Sequence, residues 1–394
     1  MHIIILFILC FAPFLGFRFD LITIGYYFVV ILLFKNHFFT KRRNDITPIF
    51  LNFYFIWLLI CFLRGIVICE NYFDWKNIAL NTLYLLCPMF IYIALNPTFL
   101  SKFFRLYFRF WVIPLFIYFI FIGNKSALHF NFAFCIVLGC FLPLIPKNWR
   151  FLILIVLFTM IISDFTARAQ IIKAFFSLTI SLLVIFRKYI KKWMLCSIIG
   201  ICLTSPFYFI YQGFFGTFNI FEHFEKENSK NEFISKEDTR TFIYQEVITS
   251  AIKNNYVMCG RTPARGNDSK FMGKYDLSGR GQRNANEVNH ANIFTWTGII
   301  GLLLWGTLYF YAIYLCIRKS NNIYMQIWAL FIAFRFALGW IEEMSTFSQQ
   351  GMSIWITIGM GYSPFLRSLN DNEFEFWIKS IFYRNTLQCK TLSI

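Results

Sequence analysis

Of 394 residues, 58% are hydrophobic and only 14% charged, whereas an ordinary soluble domain is roughly a quarter charged and under half apolar. That balance argues against a soluble globular domain. The net charge of +17 raises nucleic acid as a partner, but the bases are distributed as a membrane protein distributes them, and nucleic acid is set aside.

A helix needs about 17 to 25 mostly apolar residues to cross a bilayer. Twelve apolar runs follow one another, over 3–17, 21–34, 48–69, 77–95, 106–123, 130–146, 151–166, 169–186, 194–212, 293–317, 323–340 and 351–366. The first, second and seventh are short for a full crossing. The expected fold class is all-α, a polytopic membrane bundle of about 12 transmembrane helices. Residues 1–212 hold nine of them, 213–292 form one large loop with short helices, 293–366 hold three more, and 367–394 are a tail.

The basic residues alternate between the two ends of these runs. Lys35, Lys41, Arg42 and Arg43 follow the second, Lys102 and Arg105 the fourth, Lys147 and Arg150 the sixth. Arg187, Lys188, Lys191 and Lys192 follow the eighth, Arg318 and Lys319 the tenth, and Arg367, Lys379, Arg384 and Lys390 lie in the tail. Eighteen bases thus share one side, while the short loops opposite carry four: Arg18, Lys76, Lys125 and Arg168. By the positive-inside rule the first side is cytoplasmic, both termini lie inside, and the large loop is extracytoplasmic.

Eleven cysteines sit mostly in or beside apolar runs, with Cys259 alone in the large loop, so neither a disulfide framework nor a CxxC metal site is expected. Nor does a small-residue cleavage site follow the first run at Phe17-Arg18-Phe19-Asp20, which disfavours a cleaved signal peptide.

The loop divides by charge. Acids outnumber bases seven to four over 213–246, and bases outnumber acids seven to two over 247–286. Ser235-Lys236-Glu237-Asp238 has capping-box spacing, and Ile243, Val247 and Ala251 recur at helical intervals, predicting an amphipathic helix over 236–253 on the membrane surface. The stretch from Cys259 to Gly281 is rich in glycine and breakers and reads as irregular. Its Arg261, Arg265 and Arg280 are candidates for attracting an anion.

Three further positions carry candidate chemistry. Arg168, between the seventh and eighth runs, either snorkels to headgroups or meets an extracytoplasmic anion with its planar fork. Arg240 opens the loop helix with Tyr244 one turn on; it either pairs with an acid such as Glu237 or acts as a second phosphate clamp. His290, in Asn286-Glu287-Val288-Asn289-His290-Ala291-Asn292, is either an interfacial cap or a general base oriented by Glu287. Arg64, near Glu70, and Arg335, with Glu342 and Glu343 beyond it, read equally as structural ion pairs or as contacts to a lipid-linked phosphate.

Arginine in a short outer loop, Arg240-x-x-x-Tyr244 in the large loop, then His290-x-Asn292 followed by Gly298-Ile299-Ile300-Gly301 resembles the O-antigen polymerase and O-antigen ligase superfamily over roughly residues 160–305. The resemblance implies a GT-C-like membrane fold in the bacterial inner membrane, and inverting glycosyl transfer from undecaprenyl-diphosphate-linked oligosaccharide at the periplasmic face, in lipopolysaccharide biosynthesis. It implies no metal or other cofactor, membrane lipid as surroundings, and a polysaccharide chain-length regulator as a further partner. Arg168 and Arg240 would bind the diphosphate, and His290 would accept the acceptor's proton. The segment from Gly339-Trp340-Ile341 to Ser363-Pro364-Phe365 is similar to that of repeat-unit polymerases, which favours polymerase over ligase. A transporter or flippase is the alternative from another class; it predicts paired mid-membrane breaks and internal symmetry, whereas the charges here gather at outer ends.

Overall fold

The computed structural model describes residues 49–114, 116–117, 132–163, 168–214, 239–269, 279–341 and 345–383. The first two apolar runs, parts of the fifth and sixth, the capping box at 235–238, and Glu342 and Glu343 lie outside them.

What is described is mostly helical. Helix α1 (Ile49–Ile68) is apolar all round, yet only Leu51, Tyr54, Leu58, Cys61 and Gly65 are buried, at helical spacing. The opposite stripe of Ile49, Phe53, Ile56, Leu63 and Val67 is exposed. A helix apolar on both its packed and its open face belongs beside lipid. Asn71 caps α2 (Tyr72–Leu85) by accepting from the Asp74 amide. Pro88 has no amide hydrogen to continue the ladder, so the chain tightens to a 3-10 turn at Cys87–Phe90 before α3 (Ile91–Leu95). Pro97 opens α4 (Pro97–Leu106) behind the cap Asn96. Then come α5 (Ala133–Gly139), α6 (Lys147–Ser163), α7 (Arg168–Ile185) and α8 (Lys192–Phe214).

The large loop contributes α9 (Thr239–Lys253) and a two-residue antiparallel ladder, β1 (Asn267–Asp268) with β2 (Gln282–Arg283). The chain then forms α10 (Asn289–Arg318), α11 (Ile323–Gly339), α12 (Gln349–Tyr362), α13 (Pro364–Ser368) and α14 (Asp371–Phe382). The last lies in the expected tail and begins with a capping box between Asn370 and Glu373.

Among the described residues four helices are long and apolar enough to cross a bilayer: Ile49–Ile68, Tyr72–Leu95, Arg168–Ile185 and Asn289–Arg318; Lys192–Tyr208 and Ile323–Gly339 are shorter apolar stretches. The protein is a helical membrane protein by that measure. Its core is aromatic: Trp296, Trp305, Trp328 and Trp355 are almost fully buried, and the Trp305 and Trp355 rings meet edge to face at 4.6 Å. Phe176 of α7 stacks on Phe334 of α11 with ring centroids 3.8 Å apart. Gln170, in the first turn of α7, donates to Gln350, in the first turn of α12, at 3.2 Å. The start of α7 therefore lies towards the end of α11, so these two helices run antiparallel.

Candidate functional site at one end of the bundle

Helix α10 is broken where the large loop meets it. Gly298 has φ +71° and ψ −171°, so the helical ladder stops over one turn and leaves carbonyls and amides that need other partners. The irregular segment 257–262 of the loop supplies them. The Arg261 amide donates to the Thr295 carbonyl at 2.7 Å and the Thr262 amide to the Trp296 carbonyl at 3.2 Å. In the other direction the amides of Ile299 and Ile300 donate to the carbonyls of Val257 and Met258, at 2.9 and 3.4 Å. The Trp57 indole of α1 takes the last carbonyl, that of Thr297, at 2.9 Å. Two glycines make this approach feasible. Gly260 also has a positive φ, +70°, and a Cβ there would stand 2.5 Å from the backbone of Trp296, Thr297 and Gly298.

The basic half of the loop is held down by charge. Arg64 of α1 donates to the carbonyls of Cys259 and Gly260 at 2.7 and 3.1 Å. Arg280 pairs with Glu70, in the turn between α1 and α2, at 2.6 Å, and with Asp74, in the first turn of α2. Arg265 approaches the same acids at 3.4 and 3.8 Å and donates to the Ile68 carbonyl at 2.9 Å. Its bond to Asp74 raises the Arg280 guanidinium's hold on its proton, against desolvation and with help from Glu70. Arg261 pairs with Asp268 at 2.5 Å and with the Gly266 carbonyl at 3.0 Å. Burial pushes the Asp268 carboxyl up, but bonds from Arg261 and Asn254 outweigh it and hold the group below the usual carboxylate range. The candidate anion-binding arginines at 64, 261, 265 and 280 are thus engaged in fastening the loop.

His290 lies in the first turn of α10 and is fully buried. Its Nε2 is 3.1 Å from the Phe336 carbonyl, which can only accept, so Nε2 carries the proton and Nδ1 is the lone-pair nitrogen. Gly339 makes room for the ring: a Cβ there would stand 2.8 Å from Cε1. The rings of Phe336 and Trp340 complete the seat at 4.9 and 4.7 Å. The loop helix reaches the same place. The Tyr244 hydroxyl donates to the Trp340 carbonyl, its ring stacks over Trp340 at 6.4 Å, and Ile243 and Val247 pack with Val288 and Ala291. Burial raises the Tyr244 phenol well above its ordinary value, keeping it a donor. Tyr244 and His290 therefore share Trp340, a residue that the sequence pattern places in the polymerase-like segment but not at the site.

The remaining candidates fall as follows. Glu287 is mostly exposed and pairs with Arg283 at 3.6 Å. Arg240 lies in the first turn of α9, its side chain outside the described residues. Arg168 is the first residue of α7, and Arg335 is buried on α11 one residue before Phe336. From the Phe176–Phe334 contact, Arg168 lies eight residues, about 12 Å, towards the same end as Gly339, five residues or about 7.5 Å along α11. Among the described residues no group of three His, Cys, Asp or Glu is placed to hold a metal ion. Comparison with protein-family models, with curated proteins and with solved structures returns no match.

Proposed function

We propose that this chain is an inverting membrane glycosyltransferase that extends a lipid-diphosphate-linked glycan, an O-antigen-type polymerase. The full reading is a GT-C-like bundle of about twelve membrane helices in a bacterial inner membrane, both termini cytoplasmic and the 213–292 loop periplasmic. One observation carries it: His290 and the helix bearing Arg240 and Tyr244 meet at Trp340, at the end of the bundle where Arg168 opens α7.

In the reaction proposed, an acceptor sugar hydroxyl attacks the donor's anomeric carbon from the face opposite the diphosphate. A carbon–oxygen bond forms as the bond to the diphosphate breaks. The hydroxyl proton passes to Nδ1 of His290, and the departing diphosphate keeps the bonding electrons. Arg168 and Arg240 would neutralise the charge growing on that leaving group, where a planar guanidinium matches two phosphate oxygens. Arg335 is the further cation at this end. His290 is closed over in this structure, so the reading requires the Tyr244–Trp340 contact to part for an acceptor to reach it.

Deleting the gene and resolving the surface polysaccharide on a gel tests the assignment. Single-repeat caps on core lipid are the expected result. Bare core with accumulating lipid-linked polymer would instead identify a ligase, and an unchanged ladder would remove both.

A further inference from the structure

The turn from 286 to 292 carries a chain of hydrogen bonds whose direction is fixed at both ends. The Asn286 amide donates to Asn292 Oδ1 at 2.6 Å, so the other end of that side chain is the donor. Asn292 Nδ2 gives its protons to the Asn286 carbonyl at 2.8 Å and to Ser345 Oγ at 2.9 Å. Ser345 gives its own proton onward, to Asn289 Oδ1 at 3.1 Å, where Tyr84 also donates at 2.7 Å. Asn289 Nδ2 is left as a buried donor with no hydrogen-bond partner. The second chain starts at the Asp268 carbonyl. Asn267 Nδ2 donates to it at 3.2 Å, so Asn267 Oδ1 accepts from Asn286 Nδ2 at 3.0 Å. That leaves Asn286 Oδ1 as a buried acceptor with no partner. Asn286 and Asn289 are only 6% and 1% exposed.

One unmet donor and one unmet acceptor, each within two hydrogen bonds of the Asn292 amide and both within the four residues before His290, are the two partners that a hydroxyl group needs. No charged side chain joins the chain of bonds, and a bare acceptor oxygen disfavours an anion. We propose that the 286–292 turn is a subsite for a neutral carbohydrate hydroxyl, with Asn289 Nδ2 donating to the sugar oxygen and Asn286 Oδ1 accepting its proton. The idea rests on the transferase reading in placing the acceptor sugar, rather than the diphosphate, beside His290. The arginines would hold the charged end of the donor, and the asparagines the uncharged end of the acceptor.

The test uses the full chain in lipid nanodiscs, with methyl glycosides of glucose, galactose and N-acetylglucosamine as probes and inorganic pyrophosphate as comparator, read by saturation-transfer NMR. Wild type is expected to bind at least one glycoside. Asn289→Leu should weaken it about tenfold, the worth of one good hydrogen bond, and leave pyrophosphate unaffected. Tyr84→Phe deletes a bond to the satisfied end of Asn289 and leaves Asn289 Nδ2 in place, so its glycoside binding should stay within about twofold of wild type. Should Asn289→Leu fail to insert, Asn289→Ser, too short to reach, carries the same expectation. Absence of glycoside binding, which would mean that the turn holds ordered water only, overturns the proposal. So does equal weakening by Asn289→Leu and Tyr84→Phe, or none by Asn289→Leu. The transferase reading fails separately, if Arg168→Ala leaves pyrophosphate binding and the surface ladder unchanged while Asn289-dependent glycoside binding persists.

Discussion

Replacing Gly298 with alanine should undo the junction between the large loop and α10. At φ +71° and ψ −171°, a region open essentially to glycine alone, an alanine costs about 1–3 kcal/mol. Its Cβ would also collide with the Met258 carbonyl and the Gly260 amide, which are backbone and cannot swing aside. The 257–262 segment must lift, and four inter-segment hydrogen bonds go with it, each worth about 0.5–1.5 kcal/mol net. Together these come to at least about 3 kcal/mol of local docking energy, or about a hundredfold in the opening equilibrium. Hydrogen exchange read by mass spectrometry on the protein in nanodiscs should show the amides of Arg261, Thr262, Ile299 and Ile300 exchanging faster by that factor. Gly279 is the control, because it has the same sign of φ, +72°, and nothing within 4 Å of its Cβ position. Gly279→Ala should leave those four amides within about threefold of wild type, as expected for a distant site. Unchanged protection in Gly298→Ala, or equal loss in both variants, would refute the reasoning.

Three other expectations follow from the same contacts. Arg64→Ala removes both bonds to the Cys259 and Gly260 carbonyls and should loosen 257–262 by about 2–4 kcal/mol in the same exchange experiment, with Arg64→Lys keeping part of it. The Asp268 carboxyl is depressed in the folded state, so the stability it gives the loop is complete above its ordinary value of 3.8 and is lost as pH falls through the lower folded value. Limited proteolysis of the loop should therefore accelerate below about pH 4 in wild type and show a flatter profile in Asp268→Asn. Gly339→Ala puts a methyl 2.8 Å from His290 Cε1, and overpacking of that kind should cost about 1–3 kcal/mol by thermal unfolding while displacing Nε2 from the Phe336 carbonyl.

The helices were largely legible because an apolar run and a polar stop are local signals. The loop helix expected over 236–253 is found from Thr239 to Lys253, and the eleventh run, 323–340, ends at Gly339. Two features were not legible, for physical reasons, and a third was passed over. The break at Gly298 sits inside a continuous apolar run, and the loop segment that satisfies it, 257–262, is some forty residues earlier; nothing near Gly298 announces it. The basic half of the loop looked like an anion attractor because charge was counted along the chain. Its acids, Glu70 and Asp74, come from about two hundred residues away, in the turn after α1 and the first turn of α2. Helix α14 was readable from Asn370-x-x-Glu373, but its twelve residues are too few and too polar to register as an apolar run. For the candidate site, His290 and Tyr244 were singled out by motif, whereas their meeting point, Trp340, follows only from how α9 packs on α10 and α11.

The central claim is tested most directly with purified protein in liposomes supplied with an undecaprenyl-diphosphate-linked repeat unit, by following free undecaprenyl diphosphate and glycan length together. Wild type should release one undecaprenyl diphosphate for each repeat added, and Arg168→Ala, Arg240→Ala and His290→Ala should each abolish both signals while still inserting. Absence of release from wild type, or full activity in Arg240→Ala and His290→Ala, would contradict the account.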